Sequence, residues 1–273
     1  MAEVERSEGR RAFGHDPEGY LDARPGYTAE LYAILTDHCG LRPGTATLEI
    51  GPGPGLATRH LIELGASPLT LVEPDPRLAK FLAEELGPIA SGLEIYNAAF
   101  EDADLPSASY DLAVCASAFH WVEQRPGLEK AARVLRPGGW WAMWWNSFGG
   151  VSESDAFHNA TRPFLGALDK SPSVGAVGPH IRRQFAVDVD GRLADLRSVS
   201  EFTDIGCEVL KRKLVYDSKK LRALYATFSP IALLEPMERE RVLDGVQGVA
   251  DREFGGQVER EIATPIYTAR RKN

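Results

Sequence analysis

The residues whose types and spacing are best suited to chemistry lie between Leu48 and Thr58, where the chain reads LEIGPGPGLAT. An apolar run ends in Gly51, glycines recur at Gly53 and Gly55, and a helical pattern starts at once. Glycines so placed serve a tight turn where a ligand approaches the backbone closely. That ligand would sit at a strand's carboxyl end, beside a helix N-terminus, which suits a nucleoside-like group. In a dinucleotide fingerprint, G-x-G-x-x-G, the third glycine would fall at position 56, which is Leu56; here it comes one place early. The loop instead reads E-x-G-x-G-x-G from Glu49. Glu73 ends the next apolar run, in LVEPD, where an acid accepts hydrogen bonds from both hydroxyls of a ribose. Further on stand the segment NAAFEDADLP, with Phe100, Glu101 and Asp102, and the segment ASAFHWV, with His120.

These residues need a scaffold, and the pattern around them supplies one. From Thr45 to Asn146 short apolar runs alternate with helical patterns, the mark of a parallel sheet with crossover helices. Strands are expected at Thr45–Ile50, Pro68–Val72, Leu93–Asn97, Asp111–Ala116 and Trp140–Trp145. Helices are expected from about Leu56 to Leu64, from an Asp75 cap and Pro76 to Leu86, and from about Pro126 to Leu135. The Pro137-Gly138-Gly139 turn closes the last of these. Beyond Trp145 the pattern changes. Ser152–Leu168 reads as an amphipathic helix and the small-residue stretch Ser171–Gly178 as a mobile loop. Glu208–Tyr216 and Val258–Ala269 read as strands, and Lys219–Phe228 and Pro236–Glu253 as helices. The expected fold is thus α/β, a doubly wound, mostly parallel seven-stranded sheet with a helical lid. Four stretches follow: an N-terminal cap segment (1–40), a ligand-binding core (41–146), a lid or insertion (147–200), and strands and helices completing the same domain (201–273).

Composition narrows the partners. The chain has 273 residues, 44% of them hydrophobic, and a net charge of −8. An acidic surface repels phosphate backbones, so no nucleic-acid partner is expected. The short basic run Lys211-Arg212-Lys213 reads as a solvated strand edge. Cys39, Cys115 and Cys207 are far apart and in no metal-ligand spacing, so free thiols and no metal are expected. Met1–Arg11 is polar, without the apolar stretch of a signal peptide, and no apolar run reaches the ~18 residues of a membrane span. The expected location is the cytoplasm, with no membrane partner; the oligomeric state stays open.

The E-x-G-x-G-x-G loop closely resembles that of class I S-adenosylmethionine-dependent methyltransferases. Four other segments sharpen the resemblance: FGHDPEGYLDARPGY from Phe13, ASAFHWV, ARVLRPGG from Ala132, and the C-terminal stretches from Ala226 and Gly255. Together they are similar to bacterial small-molecule methyltransferases related to the trans-aconitate and the ubiquinone/menaquinone C-methyltransferases. Leu41–Asn146 is covered well. The resemblance implies S-adenosylmethionine as cofactor, its amino-acid end over Gly51, Gly53 and Gly55, with Glu49 heading the loop where the family often has Asp. It implies Glu73 on the ribose. Glu101 is expected at the adenine amino group, with Phe100 or Asp102 lending backbone or packing contacts. Arg24, on a segment shared with Tyr20 and Tyr27, is expected at the cofactor carboxylate. His120 is the one catalytic candidate, as a general base or as a group orienting the acceptor; the alternative is a wall residue of the cofactor pocket. The other histidines lack a comparable context. Phe157, Phe164, Tyr225 and Phe228 are candidate lining for a small-molecule acceptor. Two other readings remain: a methyltransferase-like binding protein or cyclase without methyl transfer, and a nicotinamide-dependent oxidoreductase, disfavoured by the glycine spacing and the lack of a Tyr-x-x-x-Lys pair.

Overall fold

The computed structural model describes residues 9–10, 13–148, 156–165, 168, 174–177 and 181–273. Its frame is one sheet whose parallel half holds β1 (Thr45–Ile50), β2 (Ala66–Val72), β3 (Leu93–Tyr96), β4 (Tyr110–Ala116) and β5 (Leu135–Trp144). To these are added β6 (Ser147–Phe148), β9 (Phe202–Asp217) and β10 (Gln257–Arg271). The order is β3-β2-β1-β4-β5-β10-β6, with β9 paired along the other edge of β10. β10 runs antiparallel to β5, β6 and β9. All seven expected strands are present, and the two-residue β6 makes an eighth.

The central strands are continuous apolar runs because helices cover both faces. Every residue of β1 is buried. The two-residue period divides the side chains of β4 and β5 between two cores. Ala113, Cys115, Trp141 and Met143 enter one cluster; Leu112, Val114, Ala142 and Trp144 enter the other. Crossovers are made by α3 (Thr58–Glu63), α4 (Pro76–Leu86) and α5 (Gln124–Val134), preceded by α1 (Pro17–Ala23) and α2 (Ala29–Ala33), which continues as a π turn, Ile34–His38. Asp75 caps α4 as expected, its side chain accepting from the Arg77 amide, with Pro76 in the first turn. α5 ends at Val134, and the Pro-Gly-Gly segment lies inside β5 instead of before it. There Tyr110 pairs with Leu135 and Leu112 with Trp140, so the glycines form a bulge within the strand.

A third apolar cluster lies under α6 (Ala156–Leu165), α8 (Ser218–Ala226), α9 (Ser229–Ala232) and α10 (Pro236–Glu253). The 147–200 stretch is not purely helical. Between α6 and α7 (Val189–Arg197) the strands β7 (Val174–Val177) and β8 (Ile181–Gln184) pair antiparallel, so part of the segment expected as a loop is strand. The rest of Ser171–Gly178, and residues 152–155 and 166–167 of the helix expected over Ser152–Leu168, lie outside the described residues; Leu168 is described and is not helical. Among the described residues no helix is long and apolar enough to cross a membrane.

Candidate functional site

β1 delivers the chain at Ile50 into Gly51, Gly53 and Gly55, whose φ angles are +63°, +59° and +92°. Those values lie in the left-handed region, where a side chain strains the backbone. The three glycines serve different ends. A Cβ on Gly53 would meet nothing within 4 Å, so the loop is open there. One on Gly51 would lie 2.7 Å from the Ala118 Cβ. One on Gly55 would press to 3.1 Å from Leu82 of α4, so this glycine lets loop and helix pack.

The open side of the loop faces a cavity of about 350 Å³, whose lining includes Gly51, Gly53, Glu73, Phe100 and His120 and also Arg24, Tyr225, Phe228 and Arg260. Glu73 is 3% exposed. It accepts from the Gly53 amide at 3.0 Å and from the Asp75 amide at 2.9 Å, so one carboxylate ties the glycine loop to the start of α4. Burial pushes its pKa up to about 7, against those two hydrogen bonds. Asn97 donates to the Glu73 carbonyl at 2.9 Å, holding the ends of β2 and β3 together.

Glu49 and Gly55 do not line the cavity. Glu49 is fully buried on β1 beneath the loop. Thr58 is its polar neighbour, yet neither carboxyl oxygen is in hydrogen-bonding geometry. Burial, with a contribution from Glu73, raises its pKa to about 7.

Two expected contacts are redirected. Glu101 takes an ion pair from Arg10 at 2.6 Å, on a residue of the N-terminal segment, and is absent from the lining. Burial pushes its pKa up, but the hydrogen bond and charge of Arg10 together with backbone hydrogen bonds outweigh this and leave it lowered. Phe100 does line the cavity, with the Lys130 ammonium 5.1 Å from its ring centre. Arg24 lines it too, but its guanidinium turns to Thr227, donating to the hydroxyl at 2.7 Å and the carbonyl at 3.1 Å. It lies over the Phe228 ring at 4.6 Å and the Tyr20 ring at 5.3 Å.

His120 sits in a 3-10 turn, Phe119–Trp121, directly after β4. Its Nδ1 accepts from the Trp145 indole N–H at 3.0 Å. A neutral ring bonded this way carries its proton on Nε2, the remaining nitrogen. Burial, then the positive charge of Arg24, lowers its pKa to about 3. His120 is therefore a neutral donor near neutral pH.

Other lining residues carried no sequence signal. Ser117 has φ +57° and its hydroxyl lies 3.0 Å from that of Tyr27. Asn146 donates to the Pro25 carbonyl at 2.9 Å and accepts from Thr264, clamping the N-terminal segment to the sheet. His158, set aside in the sequence, lines the cavity, as do Trp145 and Arg260. Of the four aromatic candidates, Tyr225 and Phe228 line it. Phe157 and Phe164 instead belong to the third apolar cluster.

Residues 48–143 match the family model described as "Methyltransferase domain". An uncharacterised methyltransferase of Mycobacterium tuberculosis is 31% identical over 136 residues, 50% of this chain and 52% of that protein. An rRNA adenine N-6-methyltransferase of Saccharopolyspora erythraea is 32% identical over 142 residues, 50% of this chain and 35% of that protein. The chain spans about half the length of the first curated relatives it matches. Among solved structures, the phosphoethanolamine N-methyltransferase 2 of Haemonchus contortus, in complex with S-adenosylhomocysteine, superposes with a TM-score of 0.60. It is 13% identical and covers 95% of this chain and 58% of that one, so it shows the fold alone. The residues present fit the cofactor: the loop is open at Gly53, an acid stands at the end of β2, and a buried phenylalanine follows β3. Over residues 48–143, which hold the glycine loop and the strands from β1 into β5, the chain is similar to a methyltransferase domain.

Proposed function

We propose that the chain transfers a methyl group from S-adenosylmethionine to a small-molecule acceptor held in the same cavity. The observation that carries the reading is the glycine loop: Gly53 opens onto the cavity while its amide donates to the buried Glu73. When bound, the cofactor supplies a methyl group on a sulfonium, which departs as a neutral thioether on in-line attack. The chain's own work is to bind, align and exclude water, and such alignment is worth on the order of 7–11 kcal/mol. Gly51 and Gly53 let the ligand reach the backbone. Glu73 keeps lone pairs beyond its two amide bonds for ribose hydroxyls. Phe100 offers an apolar wall to the base, and Glu101 pins the N-terminal segment through Arg10. Glu49 and Gly55 shape the loop from below. His120, as an Nε2–H donor, orients the acceptor instead of removing its proton.

Residues 41–146 are the cofactor core in this reading, 1–40 the cap, 147–200 the lid, and 201–273 complete the domain. A cytoplasmic location goes with it, supported by the free thiols of Cys39 and Cys115. A small-molecule acceptor is supported by the share of the cavity lining that comes from the N-terminal segment and from α8 and α9, and by the net charge of −8. The rRNA methyltransferase relative favours a second reading, an RNA base as acceptor. Calorimetry tests the cofactor half directly. Micromolar-scale binding of S-adenosylmethionine and S-adenosylhomocysteine, with no heat from NAD, is the expected result. Folded protein that binds NAD and neither sulfur ligand would overturn the reading.

A further inference from the structure

His120 faces the cavity with one ring nitrogen, because the other is already taken. The parallel strands β4 and β5 pair as far as Ala116 and Trp144, and the Ser117 amide donates to the Trp144 carbonyl at 2.7 Å. The residues that leave their carboxyl ends are thereby neighbours, and His120 and Trp145 both line the cavity. Trp145 is buried. Its ring meets Phe185 edge-on at 5.4 Å between centres and Tyr267 at 6.3 Å. Tyr267 in turn donates to the Ala186 carbonyl at 2.6 Å, which fastens the Phe185 turn to β10. An indole packed in this way offers its N–H in one direction, and that hydrogen goes to Nδ1 of His120 at 3.0 Å. An indole nitrogen only donates, so Nδ1 must present a lone pair and the proton of the neutral ring must stand on Nε2. The His120 ring is confined further by Trp121 and Phe185, whose centres are 5.0 Å and 6.2 Å away. The Gln124 amide donates to the carbonyls of Phe119 and Val122 and steadies the turn that carries the ring. Among the described residues Nε2 of His120 makes no hydrogen bond, and it is not one of the enclosed polar atoms that lack a partner. Its hydrogen is left for a ligand in the cavity.

We propose that Trp145 is a positioning residue for methyl transfer: by donating to Nδ1 it fixes His120 as an Nε2–H donor, and the acceptor is recognised by an oxygen or nitrogen lone pair that receives this hydrogen. The proposal rests on the methyltransferase reading and adds to it a residue that acts through His120. The full chain, isotopically labelled in its histidine ring nitrogens and saturated with S-adenosylhomocysteine, is measured by NMR near neutral pH. The His120 resonances are those lost in His120→Gln, and long-range proton–nitrogen correlations read the tautomer directly. The wild type is expected to show a protonated Nε2 and a hydrogen-bonded lone pair on Nδ1. Trp145→Phe keeps a ring against Phe185 and Tyr267 but removes the indole N–H. Its Nδ1 resonance is expected to shift, while the S-adenosylhomocysteine affinity by calorimetry and the melting temperature hold. Label transfer from methyl-labelled S-adenosylmethionine into a dilute metabolite extract is expected to slow about tenfold in this variant. A wild-type ring protonated on Nδ1 would overturn the proposal, and that measurement needs no variant to fold. So would a Trp145→Phe chain whose His120 resonances stay in place, or one whose Nδ1 moves while label transfer keeps the wild-type rate. A fall in S-adenosylhomocysteine affinity as large as the fall in rate would overturn it too, since Trp145 would then be a wall of the cofactor pocket. If the wild type binds no S-adenosylhomocysteine, or labels nothing in the extract, the methyltransferase reading itself falls, and the proposal with it.

Discussion

Glu73 bonds two backbone amides and still faces the cavity, and that double duty sets what its loss does. Glu73→Ala should weaken S-adenosylhomocysteine binding by about 1.5–3 kcal/mol, the range for hydrogen bonds to a charged group. An unchanged affinity by calorimetry would leave Glu73 as a fastening between loop and helix only. His120 makes a different prediction from that of a general base. With Nδ1 occupied by Trp145 and its pKa depressed to about 3, the ring does not change charge between about pH 5 and 8. Steady-state methyl transfer should show no loss of rate that follows histidine protonation at about pH 6.5. His120→Leu should raise the acceptor KM about tenfold with little change in cofactor affinity. A wild-type rate that falls through that pH, with the fall absent from the variant, would restore the base. The glycines and Glu73 were legible in the sequence because strand, turn and acid are close along the chain. Arg24 and Glu101 were not, because their partners, Thr227 and Arg10, come from distant segments. Arg260 was invisible: on β10 nothing in its neighbours marks a buried cation.

The parallel strands were read nearly to the residue, since a strand buried on both faces leaves a continuous apolar run. Boundaries slipped where a bulge mimics a turn, as at Gly138. The β7–β8 pair was missed because small residues with no alternation look like a loop. The contact of the N-terminal segment with the sheet had no signature either, being made by Asn146 to the carbonyls of Pro25 and Gly26, with Arg212 also donating to Gly26. Asn146→Ala removes the partner of the Pro25 carbonyl and of the Thr264 hydroxyl, at a cost of about 1–3 kcal/mol. Hydrogen exchange should then speed up across residues 13–33, while the amides of β1 and β4 stay protected. Unchanged exchange over the segment would show that Asn146 does not hold it.

At the scale of the molecule, two cores sandwich the sheet and a third lies under the C-terminal helices; the doubly wound sheet read from the sequence implies helices on both faces. Burial at the centre carries a pH signature. Glu49 has its pKa raised from 4.5 to about 7, chiefly by burial. Between those values the folded chain keeps a proton that the unfolded chain has lost, so the contribution of Glu49 to stability falls as pH rises through the window. Glu49→Gln should reduce the loss of stability between about pH 5 and 8 by on the order of 2 kcal/mol, read from urea unfolding without ligand. Equal losses in wild type and variant would mean that Glu49 ionises freely.

The central claim is methyl transfer to a small molecule, and its most direct measurement is label transfer from methyl-labelled S-adenosylmethionine. The full chain is incubated with a metabolite extract and, separately, with total RNA. The account predicts label in the low-molecular-weight fraction, abolished by Gly53→Val, whose side chain would project into the open side of the loop. Label recovered in RNA alone, or in no fraction while the cofactor binds, would contradict it.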